Sequence, residues 1–332
     1  MRRTTSSVTL AVAVAMVTVM GGAAMAATLR VPGDYATIQD AVQAAHAGDR
    51  IRVGPGRWCG ATVDKRVRLE GWGLPTIAGC PAPTLDGLPL RVGLMLGAGA
   101  SGTQVRGFVF DGRDVGNANT APLAFAVFAR GADDVVIAGN VVVGTVQALT
   151  NTGGSGWQVD DNAIFGLTAF TCDDGGYCGG GDAIVFQQRT PGARRAVGNS
   201  AERNFVSGAI PDGLAEFDLT GVVIFGQRAA TASFNLFAIP HNPDATAAGV
   251  GVLVSDRCCG EETPFETSKD TVLFGNDGRR SDFVVRVTLD AEGGTGNSDG
   301  AFIAANRGVL DVNGVIRNGA RPTPSSRARI FE

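Results

Sequence analysis

The chain has 332 residues and a formal net charge of −4, and its 48 glycines are about twice the usual share. Its 44% apolar content is too high for a disordered chain, and the glycines follow no Gly-X-Y period, which excludes collagen. With an acidic balance and no basic tract, nucleic acid is not an expected partner.

Arg2 and Arg3 form a basic start, and Val8 to Met20 is apolar apart from Thr9 and Thr18. Ala24-Met25-Ala26 then supplies a small-residue cleavage site. This pattern predicts a signal peptide over residues 1–26. The apolar run is shorter than the ~20 residues a membrane span needs. Export places the mature chain outside the cytoplasm, secreted or periplasmic, and removing Arg2 and Arg3 leaves it at −6.

Next comes "YATIQDAVQAAHAGDRIRVGPGRW", Tyr35 to Trp58. Ile38, Ala41, Val42 and Ala45 fall on one helical face. Thr37 and Asp40 make a start resembling a capping box, and Gly48 is a natural stop. "DRIRV" then begins a strand. Little else in the chain reads as a helix.

From here a loose rhythm sets in: "RVRLEGWGLPTI" from Arg66, "GLMLGAGASGTQVRGFVFDG" from Gly93, "AVFARGADDVVIAGNVVVG" from Ala126. Each unit offers short apolar strands separated by Gly or Asn turns. "GAGASG" satisfies a dinucleotide fingerprint, but a strand follows where a helix is required. Asn140 and Asn162 lie 22 residues apart, Asn162 and Asn204 lie 42, and Asn235 and Asn276 lie 41. We take the longer gaps as about two periods. Repeats of ~20–50 residues signal a solenoid or propeller, and three short strands per unit favour a right-handed parallel β-helix. Stacked Asn can bond along such a ladder while tolerating a left-handed turn. The expected fold is all-β: a β-helix of about ten coils with an N-terminal amphipathic helix cap. The helix covers an end that would otherwise invite pairing. One domain spans 27–320, followed by a flexible tail over 321–332.

Six cysteines in an exported chain should mostly pair, and 15 connectivities are open. Cys59 and Cys80, if one coil apart at ~4.8 Å per strand, would come within disulfide reach, and they are expected to pair. Cys172 and Cys178 bracket a small Gly-rich loop. Cys258 and Cys259 are adjacent, and their pairing stays open.

"VPGDYATIQDAVQAAHAGDRIRVGPGRW", with "VRLEGWG" after it, resembles the start of secreted pectin-lyase-like β-helix proteins, pectin methylesterases among them. The match covers Val31 to Gly73. It implies the fold and an extracellular setting, and one fold hosts many functions.

Phe170 to Asn199 interrupts the rhythm and is expected to leave the coil as a loop, where functional residues concentrate. Asp173, Asp174 and Asp182 can supply oxygen ligands for Ca2+, the one cofactor the sequence offers. Arg194 and Arg195, with Arg189, can grip a uronate carboxylate in two-point contact. "RTPGAR" resembles the Arg-x-Pro-x-x-Arg segment of pectate lyases. That likeness implies Arg189 as the group removing the sugar C5 proton, supported by Pro191 and Arg194. Asp182 is the accompanying catalytic candidate. The family's Trp-Ile-Asp-His type motif is absent. Pectin methylesterase motifs are echoed only by "GDAIVF" at Gly181 and "SDFVVR" at Ser281, and His46 and His241 suggest no hydrolase triad. The expected function is binding of extracellular acidic polysaccharide by a monomer. The alternatives are a Ca2+-dependent uronate lyase using Arg189, and a structural or surface-interaction protein with no sugar ligand.

Overall fold

The computed structural model describes residues 26–78, 83–84, 90–113, 123–167, 169–171, 177–188, 195–208, 219–241, 248–256, 266–289, 296–318 and 329–331. They form a right-handed parallel β-helix built on three sheets of 11, 10 and 7 strands. From Arg50 to Ser255 each coil visits the 11-stranded sheet, then the 7-stranded, then the 10-stranded. Arg50–Val53, Arg57–Trp58 and Ala61–Val63 make one coil; Arg68–Gly71, Thr76–Ala78 and Arg91–Leu96 make the next.

The alternation written in the sequence produces this packing. In "RIRV", Ile51 and Val53 are fully buried while Arg50 and Arg52 are exposed, because successive side chains of a strand face opposite ways. Parallel register carries the inward position from coil to coil. Ile51, Leu69, Val105, Ile137, Val159, Ala201, Ala232, Leu273 and Ile303 form one stacked column. Every member is fully buried. Burying one of its Ile, Leu or Val side chains contributes roughly 1.5–3 kcal/mol.

The helix Ile38–Ala44 forms where the periodicity places it. Thr37 is its N-cap, and the Thr37 Oγ1 accepts from the Asp40 N–H at 3.0 Å. Ile38, Ala41 and Val42 are buried against the first strands. Gln39 also meets Ala61–Val63, the terminal strand of the 10-stranded sheet: Thr62 N–H donates to Gln39 Oε1 at 2.8 Å. That bond satisfies a backbone donor on a strand edge. Gly48 does not stop the helix, which ends earlier at Ala45. With φ of +98°, Gly48 instead shapes the turn into Arg50–Val53.

Asparagine governs the turn from the 11-stranded to the 7-stranded sheet. Asn140, Asn162, Asn204, Asn235, Asn276 and Asn306 stack as adjacent rungs. The backbone N–H and the Nδ2 of each rung both donate to the Oδ1 of the next, at 2.9–3.1 Å. Two expectations are corrected here. Asn162 and Asn204 are adjacent rungs despite a separation of 42 in the chain, so the long gap is one coil with an excursion. The left-handed residue is also not the Asn. It is the residue before it: Gly139, Asp161, Arg203, Phe234, Gly275 or Ala305, all near +60°. Left-handed backbone costs a non-glycine residue about 1–2 kcal/mol. The ladder's paired bonds hold Asp161, Arg203, Phe234 and Ala305 there.

One excursion is the antiparallel pair Ala169–Thr171 and Tyr177–Gly180, between Ala163–Phe165 and Asp182–Gln187. Within the expected tail, Arg329–Phe331 adds a parallel strand beside Phe302–Ala304. No helix among the described residues is long and apolar enough to cross a membrane.

Candidate functional site

The outward positions of the 11-stranded sheet form two columns, and in the N-terminal coils both are rich in arginine. Thr28, Arg50, Arg68 and Gln104 stack in one; Arg30, Arg52, Glu70 and Arg106 stack in the other. Arg30, Arg50, Arg52, Arg68 and Arg106 are all exposed. Arg30 lies directly opposite Arg52, and Arg50 directly opposite Arg68. Neighbouring strands are only ~4.8 Å apart, and like charges placed opposite each other are destabilising.

Few carboxylates relieve this crowding. Arg50 Nε sits 3.1 Å from Glu70 Oε1, and Arg30 Nη1 sits 4.0 Å from Asp34. Arg52, Arg68 and Arg106 make no ion pair among the described residues. Arg52 lies over the Trp72 ring, 4.9 Å from its centroid, a cation–π contact worth ~0.5–1 kcal/mol at an exposed site. Trp72 remains 61% exposed, so its indole presents a platform. Two hollows adjoin it. One, of about 380 Å3, is lined by Thr28, Arg30, Arg50, Arg52, Glu70 and Trp72. The other, of about 500 Å3, is bounded by Arg30, Pro32, Arg52, Pro55 and Trp72.

Further along the same sheet the charge reverses. Asp160 and Glu202 are in-register neighbours. Arg203 reaches Asp161 at 3.0 Å, Glu202 at 3.2 Å and Asp160 at 4.0 Å. Burial pushes the Asp160 carboxyl above its ordinary value, the nearby Arg203 charge works against that shift, and Glu202 adds to it. Among the described residues its Oδ1 accepts no hydrogen bond.

Of the residues singled out from the sequence, Asp182 and Arg195 fall elsewhere. Asp182 opens the strand Asp182–Gln187 of the 10-stranded sheet, in register with Gln147 and Thr220. Gln147 Nε2 donates to Asp182 Oδ2 at 3.4 Å. Arg195 ties two coils together: its Nη2 is 2.7 Å from Glu266 Oε2, and its Nε donates to the Thr267 carbonyl at 2.8 Å. Asp173, Asp174, Arg189, Arg194, Cys172, Cys258 and Cys259 lie outside the described residues. Cys178 lies in the strand Tyr177–Gly180. Cys59 is not a free thiol, and its expected partner Cys80 lies outside the described residues. No group of three His, Cys, Asp or Glu side chains suited to a metal occurs among the described residues.

The arginine face was missed although its signal was present. "RIRV" and "RVRLEG" alternate arginine with buried aliphatics. Once those strands are stacked, period-two alternation places the arginines on one outward face.

No family model and no curated protein matches the chain. Among solved structures it is similar to a pectin methylesterase variant in complex with a hexasaccharide, with a TM-score of 0.49, 12% identity and 93% of each chain covered. A second pectin methylesterase–hexasaccharide complex gives a TM-score of 0.40, 13% identity and 93% of each chain. PfbA, a surface adhesin of Streptococcus pneumoniae, gives 0.41 and 12% identity over 88% of this chain and 86% of that one. At these identities the likeness is one of fold.

Proposed function

We propose that this protein is exported and binds an acidic polysaccharide along the N-terminal outward face of its 11-stranded sheet. One observation carries the reading: two in-register arginine pairs beside an exposed indole, with Arg52, Arg68 and Arg106 lacking carboxylate partners. Guanidinium groups recognise carboxylates in two-point geometry. A sugar ring can lie its apolar face on Trp72 while its carboxylate meets Arg52. A polymer lying along the solenoid axis meets a new rung every ~4.8 Å, so a charge on successive sugars finds successive arginines. Binding also relieves the repulsion between the stacked guanidiniums.

The test is affinity electrophoresis and calorimetry against a polyuronate and a neutral glucan. Binding to the polyuronate alone, weakening from 50 to 300 mM salt as surface charges are screened, is expected. Folded protein that ignores the polyuronate at low salt, or binds both polymers equally, would refute the reading.

A further inference from the structure

The outward face of the 7-stranded sheet carries a different constellation. Asp111-Gly112-Arg113 and Asp277-Gly278-Arg279 are the same turn used twice. In the first, Arg113 donates from its backbone N, Nε and Nη2 to the Asp111 carboxylate at 3.1, 3.0 and 3.3 Å. In the second, Arg279 repeats these bonds to Asp277 from N at 3.3 Å, Nε at 2.9 Å and Nη2 at 2.6 Å. The Arg279 hydrogen bond holds the Asp277 carboxyl below the usual carboxylate range. Each aspartate charge is thus already matched by its own arginine.

The two copies differ in what surrounds them. The Asp277 copy borders a cleft of about 500 Å3 lined by Phe205, Leu236, Ala238, Arg279 and Arg280. Phe205 packs on Phe165 with ring centroids 5.5 Å apart, which fixes the aromatic wall. Leu236 is 46% exposed, so the apolar wall is open to solvent. Arg280 is exposed and makes no ion pair among the described residues. With Asp277 neutralised by Arg279, Arg280 leaves the cleft with one uncompensated positive charge.

We infer that this cleft is a second binding site, for a flat apolar molecule carrying one anionic group, such as an aryl carboxylate or arylsulfonate. The ring lies across Phe205 and Leu236, which are in-register neighbours on adjacent strands, and the anion meets Arg280. The site lies on a different sheet from the arginine face, and neither proposal depends on the other.

The probe is 8-anilinonaphthalene-1-sulfonate, whose emission rises on entering apolar surroundings. Titration of the full chain is expected to give a saturable, blue-shifted signal. Leu236→Asp and Arg280→Glu, both at exposed positions, are each expected to weaken it at least tenfold, with circular dichroism unchanged. The Arg52→Ser/Arg68→Ser variant should leave it intact. A saturable signal that neither cleft variant alters, a signal lost in Arg52→Ser/Arg68→Ser, or no saturable signal from folded protein would each overturn the inference.

Discussion

Two stretches of one sheet share an interior and differ outside. In the N-terminal coils, Ile51 and Leu69 stack in the core beneath Arg50, Arg52 and Arg68. In the middle coils, Val159 and Ala201 continue the same inward column beneath Asp160 and Glu202. The inward column keeps one chemical character while the outward columns change sign. Fold and ligand chemistry are therefore written on alternate residues of the same strands, and each can change without the other.

Substitutions of the shared framework should break that comparison hardest. Asn204→Ala removes the acceptor of two Asn162 donors and the donor to the Val159 carbonyl. Each buried group left unpaired costs roughly 1–3 kcal/mol. Urea unfolding should show a loss of at least about 3 kcal/mol, and a smaller loss would mean the ladder relaxes around the gap.

Next in size is the binding face. Arg52→Ser with Trp72→Ala is expected to weaken polyuronate binding at least tenfold, about 1.4 kcal/mol, while unfolding stays near wild type. Equal losses in binding and stability would erase the distinction between the columns.

Acid titration sharpens the contrast with two aspartates of opposite tendency. Asp49 accepts the His46 and Ala27 backbone N–H groups at 2.8 and 2.7 Å, and these bonds lower its carboxyl pKa. A depressed carboxyl adds stability above the ordinary aspartate pKa of ~3.9, and that stability is lost as pH falls through the folded value. Asp49→Asn should therefore destabilise at pH 7, and the difference from wild type should shrink in acid. Asp160 is raised by burial, so the native state holds its proton more tightly and stability falls as pH rises through that range. Asp160→Asn should leave stability unchanged or higher at pH 7, with the gap closing in acid. Urea midpoints of both variants at pH 7 and pH 3 check the signs.

The smallest effect is expected at Arg68. Arg68→Ser relieves its opposition to Arg50, so unfolding should shift by no more than about 0.5 kcal/mol, toward greater stability.

The parts of the fold visible in the sequence are those that repeat. Thr37, Ile38, Ala41 and Val42 announced the helix, and the Asn series announced the coil. The ladder was misjudged where a coil carries extra chain: Asn306, 30 residues after Asn276, fits neither the shorter gap nor its double. Loop composition drew attention to Asp182 and Arg195, yet a guanidinium in a loop serves equally well as a tie, as Arg195 does with Glu266. The arginine face needed three-dimensional register. Arg30 and Arg52 are 22 residues apart in the chain and become neighbours only when the coils stack.

Adjacent rungs of the Asn ladder are separated by 22 residues in one coil and by 42 in the next, with the same hydrogen bonds closing both. Chain length between rungs is thus a free variable. Segments can be spliced in or removed at the corners without re-registering the rest of the rod. Such a rod can exchange one corner segment at a time, and a protein engineer could graft new loops at the same junctions.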